Sequence, residues 1–97
     1  MYVGKMTYEF NMDEMDEIID LWKHFVIPEA SKLPGFIRAQ LFVDRRTGKA
    51  FDIGFWASKE DAERFEDSGA YGLIVNGLKG HTKKRPSREK YELVAES

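Results

Sequence analysis

The chain has 97 residues, 42% hydrophobic and 33% charged, enough for one globular domain with a modest core and too apolar for disorder. A net charge of -2 leaves no global pull toward nucleic acid or membrane, and the lack of cysteine excludes disulfides, thiolate catalysis and Cys-based metal sites. No apolar run approaches the roughly 20 residues of a membrane span and no signal peptide opens the sequence, so one cytoplasmic domain over residues 1–97 is expected.

Tyr2 to Phe10 alternates, with Tyr2, Gly4, Met6, Tyr8 and Phe10 against Val3, Lys5, Thr7 and Glu9. This period of two predicts a first strand with one buried face. Asn11 or Asp13 is positioned to cap a helix whose acidic start suits its dipole. Met15, Ile18, Ile19, Trp22, Phe25 and Val26 form its apolar stripe, and Pro28 is expected to end or kink it.

Pro34-Gly35 then precedes a hairpin. Ile37, Ala39, Leu41 and Val43 share one face of its first strand, and Phe36, Arg38, Gln40 and Phe42 the other. Asp44 to Gly48 supplies turn chemistry. The return strand, Ala50 to Trp56, sets Phe51, Ile53 and Phe55 against Asp52, Gly54 and Trp56. Ser58 with Asp61 reads as a capping box, starting a helix that buries Ala62 and Phe65 and lasts to about Ser68-Gly69. Tyr71, Ile74, Val75 and Leu78 mark a third helix, with Gly80 as its stop. A basic segment to Arg88 follows, then a last strand around Tyr91 and Leu93.

The order β-α-β-β-α-α-β predicts an α+β, ferredoxin-like plan: a four-stranded antiparallel sheet with helices on one face. Its open face is expected to show Val3, Phe36, Phe42, Ala50 and Trp56, interleaved with Lys5, Glu9, Arg38, Gln40 and Asp52. An apolar patch of that kind implies a partner, most simply a second copy through Val3, Phe36, Arg38, Phe42 and Trp56.

Pro34-Gly35-Phe36, Asp44, Thr47-Gly48 and Trp56-x-Ser58-x-x-x-Ala62-x-x-Phe65, with Tyr71, resemble the antibiotic-biosynthesis monooxygenase-like family of dimeric α/β-barrel proteins. The resemblance covers nearly the whole chain and implies the fold and a homodimer. It also implies a pocket between sheet and helices, lined here by Met6, Tyr8, Trp22, Phe65, Tyr71 and Val75. The bland reading makes those six side chains core and nothing more.

The family contains cofactor-free oxygenases of polycyclic phenols, haem-degrading enzymes and small proteins of unassigned role. The haem-degrading branch carries an Asn, a Trp and an iron-binding His where this chain has Met6, Phe65 and Val75, and Val75 cannot ligate iron. Cofactor-free oxygenation draws electrons from the substrate's own enolate or phenolate and asks for an apolar pocket, a base and a way to hold an anion. The resemblance therefore implies a monooxygenase without cofactors acting on an aromatic or polyketide-like molecule. The alternative is a non-catalytic small-ligand-binding or structural dimer.

Tyr8, Tyr71 and His81 are the candidate catalytic groups, the tyrosines being the only polar handles expected in the pocket. His24 points to solvent by the helical repeat. Two histidines without clustered carboxylates give no metal-site spacing. Residues Lys79 to Lys90 hold six of the fifteen basic residues and one of the seventeen acids, a strip of net +5 suited to an anionic ligand. It lacks the interleaved aromatics that single-stranded nucleic acid would need.

Overall fold

The first strand, β1 (Tyr2–Glu9), lies inside the sheet, and on its inner face Met6, Tyr8 and the following Phe10 are all buried. The computed structural model describes residues 1–97. Around β1 the antiparallel sheet has the order β2-β3-β1-β4, with β2 at Phe36–Val43, β3 at Lys49–Trp56 and β4 at Ser87–Glu92. Helices cover one face, and the core gathers between them and β1. No helix is long and apolar enough to cross a membrane.

The first helical stretch opens with a 3-10 turn (Met12–Glu14) after Asn11, whose carbonyl accepts from Glu14 N–H at 3.0 Å and whose side-chain amide donates to Glu14 Oε1 at 2.8 Å without capping a backbone N–H. It continues as α1 (Met15–Leu21), widens to a π turn (Trp22–Val26) and tightens again as α2 (Ile27–Ser31). Of the two outcomes expected at Pro28, the helix does not end there but is interrupted just before it. Ile27 N–H reaches back five residues to the Trp22 carbonyl, so the wider turn just before Pro28 absorbs its ring and missing N–H.

In the β2–β3 turn, Gly48 adopts a positive φ of 81° and passes so close to the Phe10 carbonyl that a Cβ would sit 2.4 Å from its oxygen. Gly48 N–H closes the turn on the Asp44 carbonyl at 2.9 Å. Ser58 caps α3 (Lys59–Glu66) by accepting from Asp61 N–H at 3.1 Å, as the capping box predicts. Ser68 caps α4 (Gly69–Leu78) in the same way, from Tyr71 N–H at 3.4 Å, and a 3-10 turn (Lys79–His81) follows. The last strand begins at Ser87, within the basic segment and earlier than the stretch around Tyr91 and Leu93, and pairs with β1 from Thr7↔Ser87 to Tyr2↔Glu92.

The two faces of the hairpin differ from expectation. On β3 the alternation is right and the side is inverted: Trp56 is 2% and Ala50 5% exposed, packed under the helices, while Phe51 on the other side is 36% exposed. On β2 an irregularity between Phe36 and Arg38 changes the phase, so Phe36 packs on the core and Ile37 faces out at 41%. Trp56, Ala50, Phe36 and Asp52 therefore do not belong to the open face. Its β1, β2 and β3 residues include Val3, Lys5, Arg38, Phe42, Phe51, Ile53 and Phe55, with Tyr91 on β4.

Candidate functional site

Between the sheet's inner face and the helices lies a cavity of about 620 Å3, a volume suited to a small organic ligand. Met6, Tyr8, Trp22, Phe65, Tyr71 and Val75 all line it. Its aromatic wall is continuous. Trp56 stacks on Phe65 with centroids 4.8 Å apart, Phe65 meets Tyr71 edge-on at 5.5 Å, and Phe36 meets Trp56 edge-on at 5.5 Å. The small residues Gly4, Ala39 and Gly54 form part of the floor, so the backbone of the sheet is within reach of a flat ligand.

Polar groups stand at chosen places on this apolar lining. Trp22, which opens the π turn, is 3% exposed, and its indole N–H has no partner. The Tyr71 hydroxyl finds only the thioether of Met6, at 3.7 Å, and a thioether is a weak acceptor. Arg88 lies over the Tyr71 ring at 5.1 Å and donates to Glu66 Oε1 through Nε at 3.2 Å and Nη2 at 3.1 Å. Gly4 makes room for it, since a Cβ there would come 2.7 Å from Nη2. At the rim, Lys79, Lys84 and Arg85 add positive charge.

Asp52 is one of the four residues expected on the open face that the structure turns inward. It lines the cavity, and its carboxylate accepts the Tyr8 hydroxyl. Burial lifts its carboxyl to about 6, against the opposing effects of the Tyr8 hydrogen bond and the Arg88 charge. Burial, followed by the Asp52 charge, pushes the Tyr8 hydroxyl above the usual phenol range, so Tyr8 keeps its proton. The available signal was parity: Asp52 shares a face with Trp56, the buried residue before the capped helix. Arg88, which the sequence marks only as one cation of the basic strip, is brought to the cavity by its place on β4.

His81 does not line the cavity. Its Nδ1 lies 3.4 Å from Glu14 Oε1, and with Glu17 the three offer ligand atoms within 4.8 Å of one another. The expected lack of carboxylates near a histidine is overturned here, because the fold brings the first helical turn and the segment after α4 together. His24 is exposed, with Nδ1 3.0 Å from the Asp20 carbonyl. Of the basic strip, Lys84 pairs with Glu9 at 3.5 Å and Lys90 with Glu66 at 3.4 Å.

A four-stranded antiparallel sheet with helices on one face and an aromatic cavity beneath them is a ferredoxin-like α+β fold, and solved structures of this kind superpose over almost the entire chain. A Streptomyces coelicolor monooxygenase in complex with nanaomycin D gives a TM-score of 0.84 at 13% identity, covering 99% of this chain and 89% of that one. A variant of SnoaB, a cofactor-independent oxygenase from Streptomyces nogalater, gives 0.70 at 14%, covering 98% and 92%. A Nitrosomonas europaea protein of unknown function gives 0.79 at 12%, covering 99% and 91%. The family described as antibiotic biosynthesis monooxygenase matches residues 1–76, and the chain belongs to that family. A comparison with curated protein sequences finds no match.

Proposed function

We propose that the protein is a cofactor-independent monooxygenase of a hydroxylated aromatic or polyketide-like small molecule, bound in the cavity between sheet and helices. The observation that carries this reading is the cavity's composition. A stacked wall of Trp56, Phe65 and Tyr71 suits a flat ring system, and the hydroxyl of Tyr71 and the unpaired N–H of Trp22 suit its oxygens. Arg88 and the rim cations Lys79, Lys84 and Arg85 favour the ligand's anionic form, the species that can give an electron to dioxygen. Kinship with a family that includes oxygenases, and likeness to a structure holding nanaomycin D, support the same choice.

The open sheet face belongs to this reading as the contact with a second copy. Phe42 stacks on Phe51 at 4.8 Å while both remain exposed, and Arg38 lies over Phe55 at 4.1 Å.

Oxygen uptake with a panel of hydroxyanthracenones and hydroxynaphthoquinones tests the proposal. Turnover is expected without added metal or flavin and in the presence of a chelator. No uptake above buffer, together with no thermal shift from any member, would overturn it in favour of a structural dimer; a thermal shift without uptake would leave a non-catalytic binder.

A further inference from the structure

The ligand-binding reading makes no use of the one carboxyl group lining the cavity. Asp52 sits in the middle of β3, opposite Met6 of β1 and Leu41 of β2, and one of its carboxylate oxygens is fixed by the Tyr8 hydroxyl. The titratable and charged groups around it are Tyr8 from β1, Arg88 from β4 and Tyr71 from α4, with Glu66 of α3 behind Arg88. On the inner face β2 presents Phe36, Ala39, Leu41 and Val43, and the first helical stretch presents Trp22, Val26 and Ala30, none of them titratable. The cavity thus has one basic oxygen pair, set among aromatic rings and faced by one guanidinium.

We propose that Asp52 is the catalytic base of this cavity, taking a proton from an acidic C–H or a phenolic O–H of the ligand; the step rests on the ligand class proposed above. The C–H or O–H bond breaks, the proton forms an O–H bond on Asp52, and the electron pair stays on the ligand as an enolate or phenolate beside Arg88. For an anthrone-type methylene, the carbanion then gives an electron to dioxygen and the radical pair combines to a peroxide anion. Asp52 returns its proton to that anion, and loss of water converts the hydroperoxide into a ketone. One dioxygen and one CH2 become one C=O and one water, and Asp52 ends ionised as it began. Tyr8, which keeps its proton, is a positioning residue that aims the carboxylate. A carboxyl lifted to about 6 is ionised at neutral pH and more basic than a surface aspartate.

The test uses dithranol, a dihydroxylated anthrone, under anaerobic conditions, where proton removal is read as exchange of its methylene hydrogens with deuterium. Unmodified protein is expected to accelerate the exchange, with the rate rising through a pH midpoint near 6. Asp52→Asn is expected to lose roughly a hundredfold or more of that acceleration, while tryptophan quenching shows dithranol still bound. Tyr8→Phe should move the midpoint upward, because it removes a hydrogen bond that favours the carboxylate. Equal exchange by unmodified protein and Asp52→Asn, both binding, would overturn the assignment and leave the ligand reading standing. Failure of the unmodified protein to bind dithranol or any other member of the panel would overturn the ligand class and this step with it. Carboxyl carbon-13 shifts of the ligand-free protein give a check that needs no ligand: a resonance absent from Asp52→Asn and titrating in the ordinary carboxylate range would overturn the assignment.

Discussion

Tyr8 and Asp52, 44 positions apart in sequence, share one proton-bearing contact across the β1–β3 pair, the phenol donating and the carboxylate accepting. Met6 is the direct register partner of Asp52, and Tyr8 is that of Ala50, so the bond runs diagonally along the cavity floor. It ties the two polar groups of an otherwise apolar floor to each other, leaving neither a buried orphan.

The pair makes stability depend on pH in a defined direction. Asp52 binds its proton up to about pH 6 in the folded chain and only to the ordinary carboxylate value when unfolded. Between those values the folded state holds more protons, so stability falls as pH rises through the window and is level above it. The loss is on the order of 2–3 kcal/mol, from about 1.4 kcal/mol per pH step. Denaturant melts at pH 4 and pH 7.5 should show the decline, and Asp52→Asn should flatten it. An unchanged slope in that variant would place the titration elsewhere.

Gly4→Ala should damage ligand binding more than the fold. The added methyl meets the flexible end of Arg88, which can swing away at the expense of its hydrogen bonds to Glu66. The melting change is expected to stay within about 1 kcal/mol, while affinity for an anionic ligand drops and its salt dependence weakens. Calorimetric titrations at two ionic strengths would check this.

Phe42→Glu should abolish self-association. It places a carboxylate in the centre of the exposed Phe42–Phe51 stack, where a second copy would desolvate it. Light scattering at micromolar concentration is expected to give a dimer for the unmodified protein and a monomer, or insoluble chains, for the variant. A monomeric unmodified protein would remove the proposed role of this face.

Haem should not be a stoichiometric, turned-over ligand. Met6, Phe65 and Val75 line the cavity, and none of the three supplies an imidazole to iron. Absorbance titration is expected to show no sharp Soret shift, and reductant should not open the ring. A one-to-one shift followed by ring opening would contradict the expectation.

The order and type of the elements were legible because each carries one clear signal. Tyr2 to Phe10 alternates apart from Val3, and Ser58 with Asp61 marks a helix start. Met6, Tyr8, Trp22, Phe65, Tyr71 and Val75 were legible as lining because each lies on the apolar side of its strand or helix that turns toward the core. On β3 both faces are apolar, and bulk misleads, since Phe51, Ile53 and Phe55 outweigh Ala50 and Gly54. The helices nevertheless cover the side with the small residues, where Ala50 and Trp56 are buried and Gly54 lines the cavity. Asp52 was lost with that choice. The phase change after Phe36 and the π turn before Pro28 are backbone adjustments, and neither has a residue pattern of its own.

Residues 1–76, the part that matches the family, supply the aromatic wall and Asp52, while residues 78–88 supply Lys79, Lys84, Arg85 and Arg88. That later segment reaches the sheet only as an edge strand, on β1. The aromatic wall and the cavity's cations are therefore written in separate, consecutive stretches of one chain. Exchanging the last stretch between relatives would change the cations that face the ligand and Asp52 while the aromatic wall stays as it was.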